Sequence, residues 1–186
     1  RITIIPDPAL SRPLIERLRT AARRARDPSD GRRFVSVGRL MPQKNIALML
    51  RAFARGARAG DTLTIIGDGP ERSKLAILAR RLGLDDRVTF RGYVPEPATI
   101  LPSFDVLLLS SNYEGVPAVI LEGLAAGLAI IATDCSRSMA TLLRHGVLGE
   151  LVPVGNDPML AAAIARAKPA SQDEHLSLAQ AQRFTL

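Results

Sequence analysis

Short apolar runs alternate with longer segments of helical periodicity along this chain, and this alternation constrains the fold more than any other sequence feature. The runs are too apolar to leave one face in water, so they predict strands that are buried on both faces. Strands of this kind separated by helices predict an α/β fold: a doubly wound, Rossmann-like parallel sheet with helices on both faces. About six strands are expected, at residues 34–37, 62–66, 87–90, 105–109, 129–132 and 150–152.

Capping residues support the helices predicted between these strands. Asn45 is of a type that caps helix N-termini, and Pro70 suits a first helical position because its missing N–H costs little there. Gly83 suits the position just past a helix end. The helices are expected at residues 45–58, 70–82, 117–126, 139–144, 158–167 and 173–182.

The length and composition are those of one domain with an aliphatic core. The chain has 186 residues, of which 47% are hydrophobic and only 4% aromatic, and its mean hydropathy is +0.12. Domains commonly contain about 100–200 residues. We therefore expect residues 1–186 to form a single domain, with Pro6 and Pro8 marking residues 1–10 as a linker region.

The charge balance favours an anionic partner. Lysine and arginine number 25 against 18 aspartates and glutamates, which gives a net charge of +7. Such a charge suits nucleotides, polynucleotides or an acidic membrane surface. The basic cluster at residues 23–26 has no interleaved aromatic residues, which favours a solvated face over a nucleic-acid site. No nucleic-acid partner is therefore predicted.

Cysteine and histidine usage predicts neither a disulfide nor a metal site. Cys135 is the single cysteine, which excludes an intramolecular disulfide, and His145 and His175 have no ligand-type residues at metal-site spacing. The turn at residues 67–69 lacks the third glycine of a dinucleotide-binding motif, so NAD is not predicted either. No cofactor is therefore expected.

The apolar stretch at residues 116–132 contains one charged residue, Glu122. A carboxylate at the centre of a membrane span costs about 2.5–3.5 kcal/mol, and the residues beyond Gly127 have a β-type pattern. A buried helix followed by a buried strand is therefore predicted here instead of a span.

Two cations, Arg39 and Lys44, lie in the loop after the first predicted strand. Ligands of parallel α/β sheets bind beyond the carboxyl ends of the strands. Gly38 lets the backbone approach a ligand closely, and Gly67 begins the next loop at the same edge. Arginine binds phosphate oxygens bidentately, whereas a lysine at a helix N-terminus is disfavoured by the helix dipole. An anion between the two cations would resolve that conflict.

Two glutamates separated by seven residues, Glu114 and Glu122, frame a second candidate site. Glu114 follows the fourth predicted strand, and Pro117 lies near the first position of the next helix, whose N-terminus attracts anions. The backbone N–H groups at that end belong to Val116, Ala118 and Val119. Glu122 has apolar neighbours, so its carboxylate needs a partner. A paired acid–base role for the two glutamates is one interpretation, which their spacing does not establish.

Several spaced motifs, in one order along nearly the whole chain, resemble the retaining glycosyltransferases of family 4. The element from Glu114 to Glu122 is that family's most specific signature, the EX7E motif. The other matching segments are Val37-Gly38-Arg39 with Lys44-Asn45, Ile66-Gly67-Asp68-Gly69-Pro70-Glu71, Phe90-Arg91-Gly92-Tyr93-Val94, and Gly149-Glu150-Leu151-Val152-Pro153.

The resemblance implies a GT-B architecture, in which two Rossmann-like domains face each other, with this chain as the C-terminal, donor-binding domain. Arg39 and Lys44 would bind the diphosphate of a UDP-, GDP- or ADP-sugar and stabilise the leaving group. Glu114 would contact sugar hydroxyls and Glu122 the ribose diol. The other implied donor-binding residues are Gly38 and Gly67 in the first two loops, Tyr93 and Val94 along the base, and Gly115, Val116, Pro117 and Ala118 at the phosphates.

The resemblance also implies a longer parent enzyme that transfers a hexose. Its N-terminal acceptor domain would be absent from these 186 residues, which alone would be inactive. The parent would be cytoplasmic, in peripheral contact with the inner face of a membrane. The chain departs from the family pattern at Ala129, where a proline is usual, and at residues 136–140, which lack a glycine-rich turn and a glutamate. That loop lies close to the donor sugar and phosphates in the family.

Two other functions stay open from the sequence. One is a nucleotide-sugar epimerase with the same architecture. The other is a non-catalytic module that binds polyanions or a membrane surface, which the net charge of +7 would favour.

Overall fold

Six parallel strands form one sheet in the part of the chain that the computed structural model describes, residues 10–20, 31–168 and 174–184. The strands run in the order β3-β2-β1-β4-β5-β6 across the sheet. This is the order of a doubly wound, Rossmann-like fold, so the predicted fold class is confirmed. In chain order they are β1 (Arg33–Val37), β2 (Thr62–Ile66), β3 (Val88–Gly92), β4 (Val106–Leu109), β5 (Ala129–Thr133) and β6 (Glu150–Val152).

Helices of the described ranges cover both faces of the sheet. They are α1 (Arg12–Thr20), α2 (Ile46–Gly56), α3 (Arg72–Arg81), α4 (Ala118–Ala125), α5 (Met139–Leu142), α6 (Asp157–Arg166) and α7 (Glu174–Gln182), with short 3-10 helices at Pro42–Lys44 and Pro97–Ser103. The sequence predicts neither α1 nor the 3-10 helix at Pro97–Ser103. Because α1 has nine residues with few apolar side chains, it depends on packing Ile15 and Leu18 into the core.

The capping predictions hold better than the predicted boundaries. Asn45 is the N-cap of α2, where its side chain accepts from the N–H of Leu48 at 3.3 Å. Gly83 follows α3 with a φ of +68°, as a residue past a helix end requires. By contrast, α3 begins at Arg72 because Pro70 belongs to the preceding turn. The linker at residues 1–9, the basic cluster at residues 23–26 and the predicted helix start at residue 173 lie outside the described residues.

Alternate residues of each central strand enter the two hydrophobic clusters. Leu107 and Ile130 lie in the cluster with α1, α4, α5 and α7, whereas Leu108 and Ile131 lie in the cluster with α2, α3 and α6. Burial on both faces explains why these strands are almost uniformly apolar.

The apolar stretch at residues 116–132 forms α4 and most of β5, as predicted. Among the described residues, no helix has the length and apolar character needed to cross a membrane. Glu122 lies within α4 at a partly exposed position.

A buried ion pair at the amino edge of the sheet joins distant parts of the chain. The side chains of Arg32 and Asp61 are 5% and 2% exposed, and Nη2 of Arg32 lies 2.5 Å from Oδ2 of Asp61. The same guanidinium donates to the carbonyl oxygens of Ile164 at 2.7 Å and Ala167 at 2.9 Å, at the end of α6. Burial raises the pKa of Asp61, but donation from Arg32 and from the N–H of Arg58 lowers it below its ordinary value.

We expect Asp61→Asn to lower the free energy of unfolding at pH 7 by about 3–5 kcal/mol, because it leaves the buried guanidinium without its counter-charge. The folded-state pKa of Asp61 is depressed, so its stabilisation is present above the ordinary value of 3.8 and is lost as the pH falls below it. Urea unfolding between pH 7 and pH 2 measures both effects. The difference in the free energy of unfolding between wild type and variant should become smaller as the pH falls. Asp86→Asn, at an exposed position, is the control. A similar, pH-independent loss in both variants would contradict this account.

Candidate functional site

The predicted site residues of the first and fourth loops meet at the carboxyl edge of the sheet. β1 and β4 are neighbours, but α2 packs on one face of the sheet and α4 on the other. The winding of the chain therefore reverses between these two strands. In doubly wound sheets such a reversal separates the two following loops and leaves a crevice for a ligand.

Hydrogen bonds join the loop after β1 to the loop after β4. The N–H of Asn112 donates to the carbonyl oxygen of Gln43 at 2.8 Å, and the Gln43 side chain donates to the carbonyl oxygen of Tyr113 at 2.9 Å. The hydroxyl of Ser110 donates to the carbonyl oxygen of Lys44 at 2.8 Å. The two loops thus form one wall with a fixed relative position.

Lys44 and Glu114 form an ion pair within this wall. Nζ of Lys44 lies 2.5 Å from Oε1 of Glu114, and the side chains are 21% and 11% exposed. The hydroxyl of Ser111 donates to the same carboxylate oxygen at 2.6 Å. The sequence suggests an anionic ligand as the counter-charge of Lys44, whereas the structure provides one from the protein itself. Lys44 also ends a 3-10 helix ahead of α2 instead of lying in the first turn of α2.

Arg39 differs from Lys44 in having no counter-charge. Its side chain is exposed and makes no hydrogen bond or ion pair with any residue of the described ranges. The loop that carries it is nevertheless held by its backbone: the N–H of Gly38 donates to Ile66 at 2.9 Å, and the N–H of Leu40 donates to Asp68 at 2.9 Å. An unpaired guanidinium on a fixed loop can bind an incoming anion without first breaking a contact.

Gly38 and Gly67 permit close contact between the first two loops. A Cβ atom added to Gly67, which has a φ of +130°, would lie 2.0 Å from the carbonyl oxygen of Gly38. A Cβ atom at Gly38 would lie 3.2 Å from Cε of Lys44. Both glycines therefore shape the wall around the two cations.

The N-terminus of α4 lies close to Glu114 in sequence, and its N-cap residue makes no side-chain capping hydrogen bond. Among the described residues, no hydrogen-bond acceptor is recorded for the backbone N–H groups at this end, and no acidic residue lies in the first turn. These groups belong to Gly115, Val116, Ala118 and Val119. Pro117 is the N-cap and has no N–H to donate. Such an end carries a partial positive charge and favours an anion.

Glu122 lies further along α4, and its side chain has no hydrogen-bond or ion-pair partner in the described part of the chain. Burial raises the pKa of its carboxyl group above the ordinary value. Its environment differs from that of Glu114, whose carboxylate is already paired with Lys44, and no hydrogen bond joins the two glutamates. An unpaired carboxylate of this kind can accept hydrogen bonds from a ligand's hydroxyl groups.

Tyr93 and Val94 follow β3 at the same edge but further from the crevice. β3 is the outermost strand, with β2 between it and β1. The Tyr93 side chain is 77% exposed, whereas Val94 packs against the hydrophobic cluster that contains α4. The structure therefore places these two residues beside the site and not among the polar contacts of its wall.

Several polar residues of the site are missed by the sequence motifs. Ser110, Ser111 and Gln43 hold the wall together, while Ser136 and Ser138 donate to Gly115 from the loop after β5. Small polar residues in loops carry no periodic signal, so only the unusual composition of residues 136–140 draws attention to this region.

A separate cavity of about 640 Å³ lies at the amino edge, between the start of β6 and the end of α6. None of the predicted site residues lines it. In the described ranges, no three His, Cys, Asp or Glu side chains form a group that could hold a metal ion.

The fold is that of a Rossmann-like domain, and its polar site lies at the switch point between β1 and β4. Proteins of similar structure are GT-B glycosyltransferases. Residues 31–168 match the family described as Glycosyl transferases group 1, and the chain belongs to that family.

Two curated relatives are bacterial transferases whose names refer to polysaccharides. An exopolysaccharide phosphotransferase of Streptomyces coelicolor is 37% identical over 153 residues, which cover 77% of this chain and 16% of the relative. The lipopolysaccharide core biosynthesis glycosyltransferase LpsE of Rhizobium meliloti is 34% identical over 137 residues, which cover 74% of this chain and 39% of LpsE. The chain thus spans less than half the length of either relative.

Two solved structures share the fold along almost the whole chain. The apo form of the lipopolysaccharide outer core galactosyltransferase WaaB matches with a TM-score of 0.83 and 25% identity, over 99% of this chain and 52% of WaaB. Anabaena HepE in complex with UDP and glucose matches with a TM-score of 0.76 and 25% identity, over 95% of this chain and 49% of HepE.

Glu122→Gln is expected to raise the melting temperature at pH 7, because it removes an unpaired, partly buried charge. The gain disappears as the pH falls through the raised pKa of Glu122, since both side chains are then neutral. Thermal unfolding followed by circular dichroism between pH 8 and pH 4 measures the difference.

Glu114→Gln is the matched comparison, and it is expected to lower the stability of the fold where Glu122→Gln raises it. It removes the counter-charge of Lys44, so the free energy of unfolding at pH 7 falls by about 1–3 kcal/mol. Equal effects of the two substitutions would show that pairing does not distinguish the two glutamates.

Proposed function

We propose that this chain is the nucleotide-sugar-binding, C-terminal domain of a retaining glycosyltransferase of family 4 that transfers a hexose to an acceptor. The observation that carries this proposal is the meeting of Arg39, Lys44 and the open N-terminus of α4 at the switch point. The membership of the glycosyltransferase family and the UDP and glucose in the HepE complex support it.

The donor diphosphate would lie between Arg39 and the start of α4. Arg39 has no competing partner among the described residues, and its planar guanidinium matches two phosphate oxygens at once. The N–H groups of Val116, Ala118 and Val119 would donate to the other side of the diphosphate. The ligand's negative charge would then lie beside groups that have no acceptor or counter-charge in the part of the chain that the structure describes.

Lys44 would have a second role during transfer. It is held at 2.5 Å from Glu114, so its position is fixed before a donor enters. As the bond between the sugar and the diphosphate breaks, negative charge grows on the leaving phosphate, and a fixed positive group stabilises that charge. Preorganised donors of this type contribute about 3–4 kcal/mol each to lowering a barrier.

The two glutamates would contact hydroxyl groups on either flank of the diphosphate. Lys44 and Ser111 both bind Oε1 of Glu114, so Oε2 would accept from a sugar hydroxyl. Glu122 would accept from both hydroxyls of the ribose, which would supply the partners that its carboxylate lacks. Tyr93 and Val94 would lie along the base.

The acceptor would be held by an N-terminal domain of the parent enzyme. WaaB is about twice as long as the segment it shares with this chain, which supports a parent of two domains. We expect the 186 residues alone to bind a donor without transferring its sugar. We also propose a cytoplasmic parent in peripheral contact with the inner face of the membrane, where a lipid-linked acceptor would be accessible.

Arg39→Ala and Lys44→Ala are each expected to weaken nucleoside diphosphate binding at least tenfold without unfolding the chain, since a hydrogen bond to a charged group contributes about 1.5–3 kcal/mol. Isothermal calorimetry with UDP, GDP and ADP identifies the preferred nucleotide, and circular dichroism verifies the fold. Arg80→Ala removes an exposed cation of α3, away from the crevice, and should leave the affinity unchanged.

Three results would overturn the proposal. Unchanged affinity in both site variants would exclude the cation pair as the phosphate site. Binding that falls steeply with salt and shows no preference for nucleotides would instead identify a polyanion-binding module. Isomerisation of a donor sugar without an acceptor would indicate an epimerase.

A further inference from the structure

Two serines from the loop after β5 bind one carbonyl group of the candidate site. The hydroxyl of Ser136 donates to the carbonyl oxygen of Gly115 at 2.6 Å, and that of Ser138 does so at 3.1 Å. The two hydroxyl oxygens are 2.7 Å apart and within hydrogen-bond distance of each other, so while one hydroxyl donates to Gly115 the other can donate to its neighbour. We call this pair the serine clamp.

Ser138 is at a position where serine normally serves its own helix. It is the N-cap of α5, where its hydroxyl would ordinarily accept from a backbone N–H of the first turn. No such bond forms, and the hydroxyl extends to Gly115 instead. The local helix thus gives up a cap in favour of a contact with the loop after β4.

The clamp determines where the next N–H group points. The peptide bond between Gly115 and Val116 is trans, so its C=O and N–H point in opposite directions. β4 lies between β5 and β1 in the sheet. Because the carbonyl group faces the loop after β5, the N–H of Val116 points away from that loop.

Packing does not hold this peptide in place. A Cβ atom added to Gly115 would meet no atom within 4 Å, and Val116 is 46% exposed. Glycine also permits peptide orientations that other residues disfavour. The hydroxyl contacts are therefore what selects one orientation of the Gly115–Val116 peptide.

We propose that Ser136 and Ser138 are positioning residues for donor binding: they orient the Gly115–Val116 peptide so that the N–H of Val116 donates to the diphosphate. The inference rests on the proposed function, because it needs a diphosphate in the crevice. It also gives a role to the loop where the sequence departs from the family pattern.

The closeness of the two hydroxyls makes the clamp redundant. If one serine is replaced, the other remains within hydrogen-bond distance of Gly115. Ser136→Ala and Ser138→Ala alone therefore keep most of the affinity, whereas the double alanine variant loses about tenfold or more. The double variant Ser136→Thr with Ser138→Thr keeps both hydroxyls and restores binding. Ser103→Ala, which removes an exposed hydroxyl at the end of a 3-10 helix, is the matched control.

The experiment uses the 186-residue chain with UDP, GDP and ADP as probes. Calorimetry gives the affinities, and the backbone amide resonance of Val116 reports whether its N–H contacts the bound nucleotide. In the wild type this resonance moves when the preferred nucleotide is added. In the double alanine variant the movement is lost together with the affinity, which a general loosening of the structure would not single out.

The outcomes separate the two proposals. Failure of all three nucleotides to bind the wild type would overturn the proposed function. Binding with unchanged affinity in the double alanine variant would overturn the role of the clamp alone. If the double alanine variant unfolds, the wild-type spectrum still tests the inference. A Val116 amide resonance that does not move when a nucleotide binds would contradict it.

Discussion

The reversal of chain winding between β1 and β4 is the constraint on which the rest of this structure depends. Because the six strands of the sheet are parallel, each loop that follows a strand lies at the same, carboxyl edge of the sheet. Because α2 and α4 then leave toward opposite faces, their two preceding loops border the position where ligands of doubly wound sheets bind. A polar site can form there without unpaired groups being buried in the hydrophobic clusters.

The polar groups around this crevice fall into two sets. One set is satisfied within the protein: Lys44 with Glu114, and the carbonyl group of Gly115 with the two serines. The other set, which includes Arg39, Glu122 and the N-terminus of α4, has no protein partner in the described residues. The first set fixes the geometry and the second provides the binding capacity.

The strands and most helices are predictable from the sequence. Strands that are buried on both faces are almost entirely apolar, and this pattern is visible in the amino-acid sequence. Helix α1 is not, since its stability comes from Ile15 and Leu18 packing on distant residues. At the site, Arg39, Lys44, Glu114 and Glu122 stand out through their motif. The pairing of Lys44 with Glu114 does not, because the two residues are 70 positions apart and meet only when β1 and β4 pair. The serine clamp is hidden for the same reason.

The amino-acid sequence alone is enough to predict the strands in chain order, the α-helices other than α1, the burial of the sheet on both faces and the edge at which a ligand is expected. These follow from hydrophobic periodicity and from the direction of parallel strands, both of which are local or topological properties. Which charges neutralise each other, and which have no partner within the described residues, depends on the tertiary structure. Pairing depends on distances of a few ångströms between loops far apart in the chain, and residue types alone do not encode those distances.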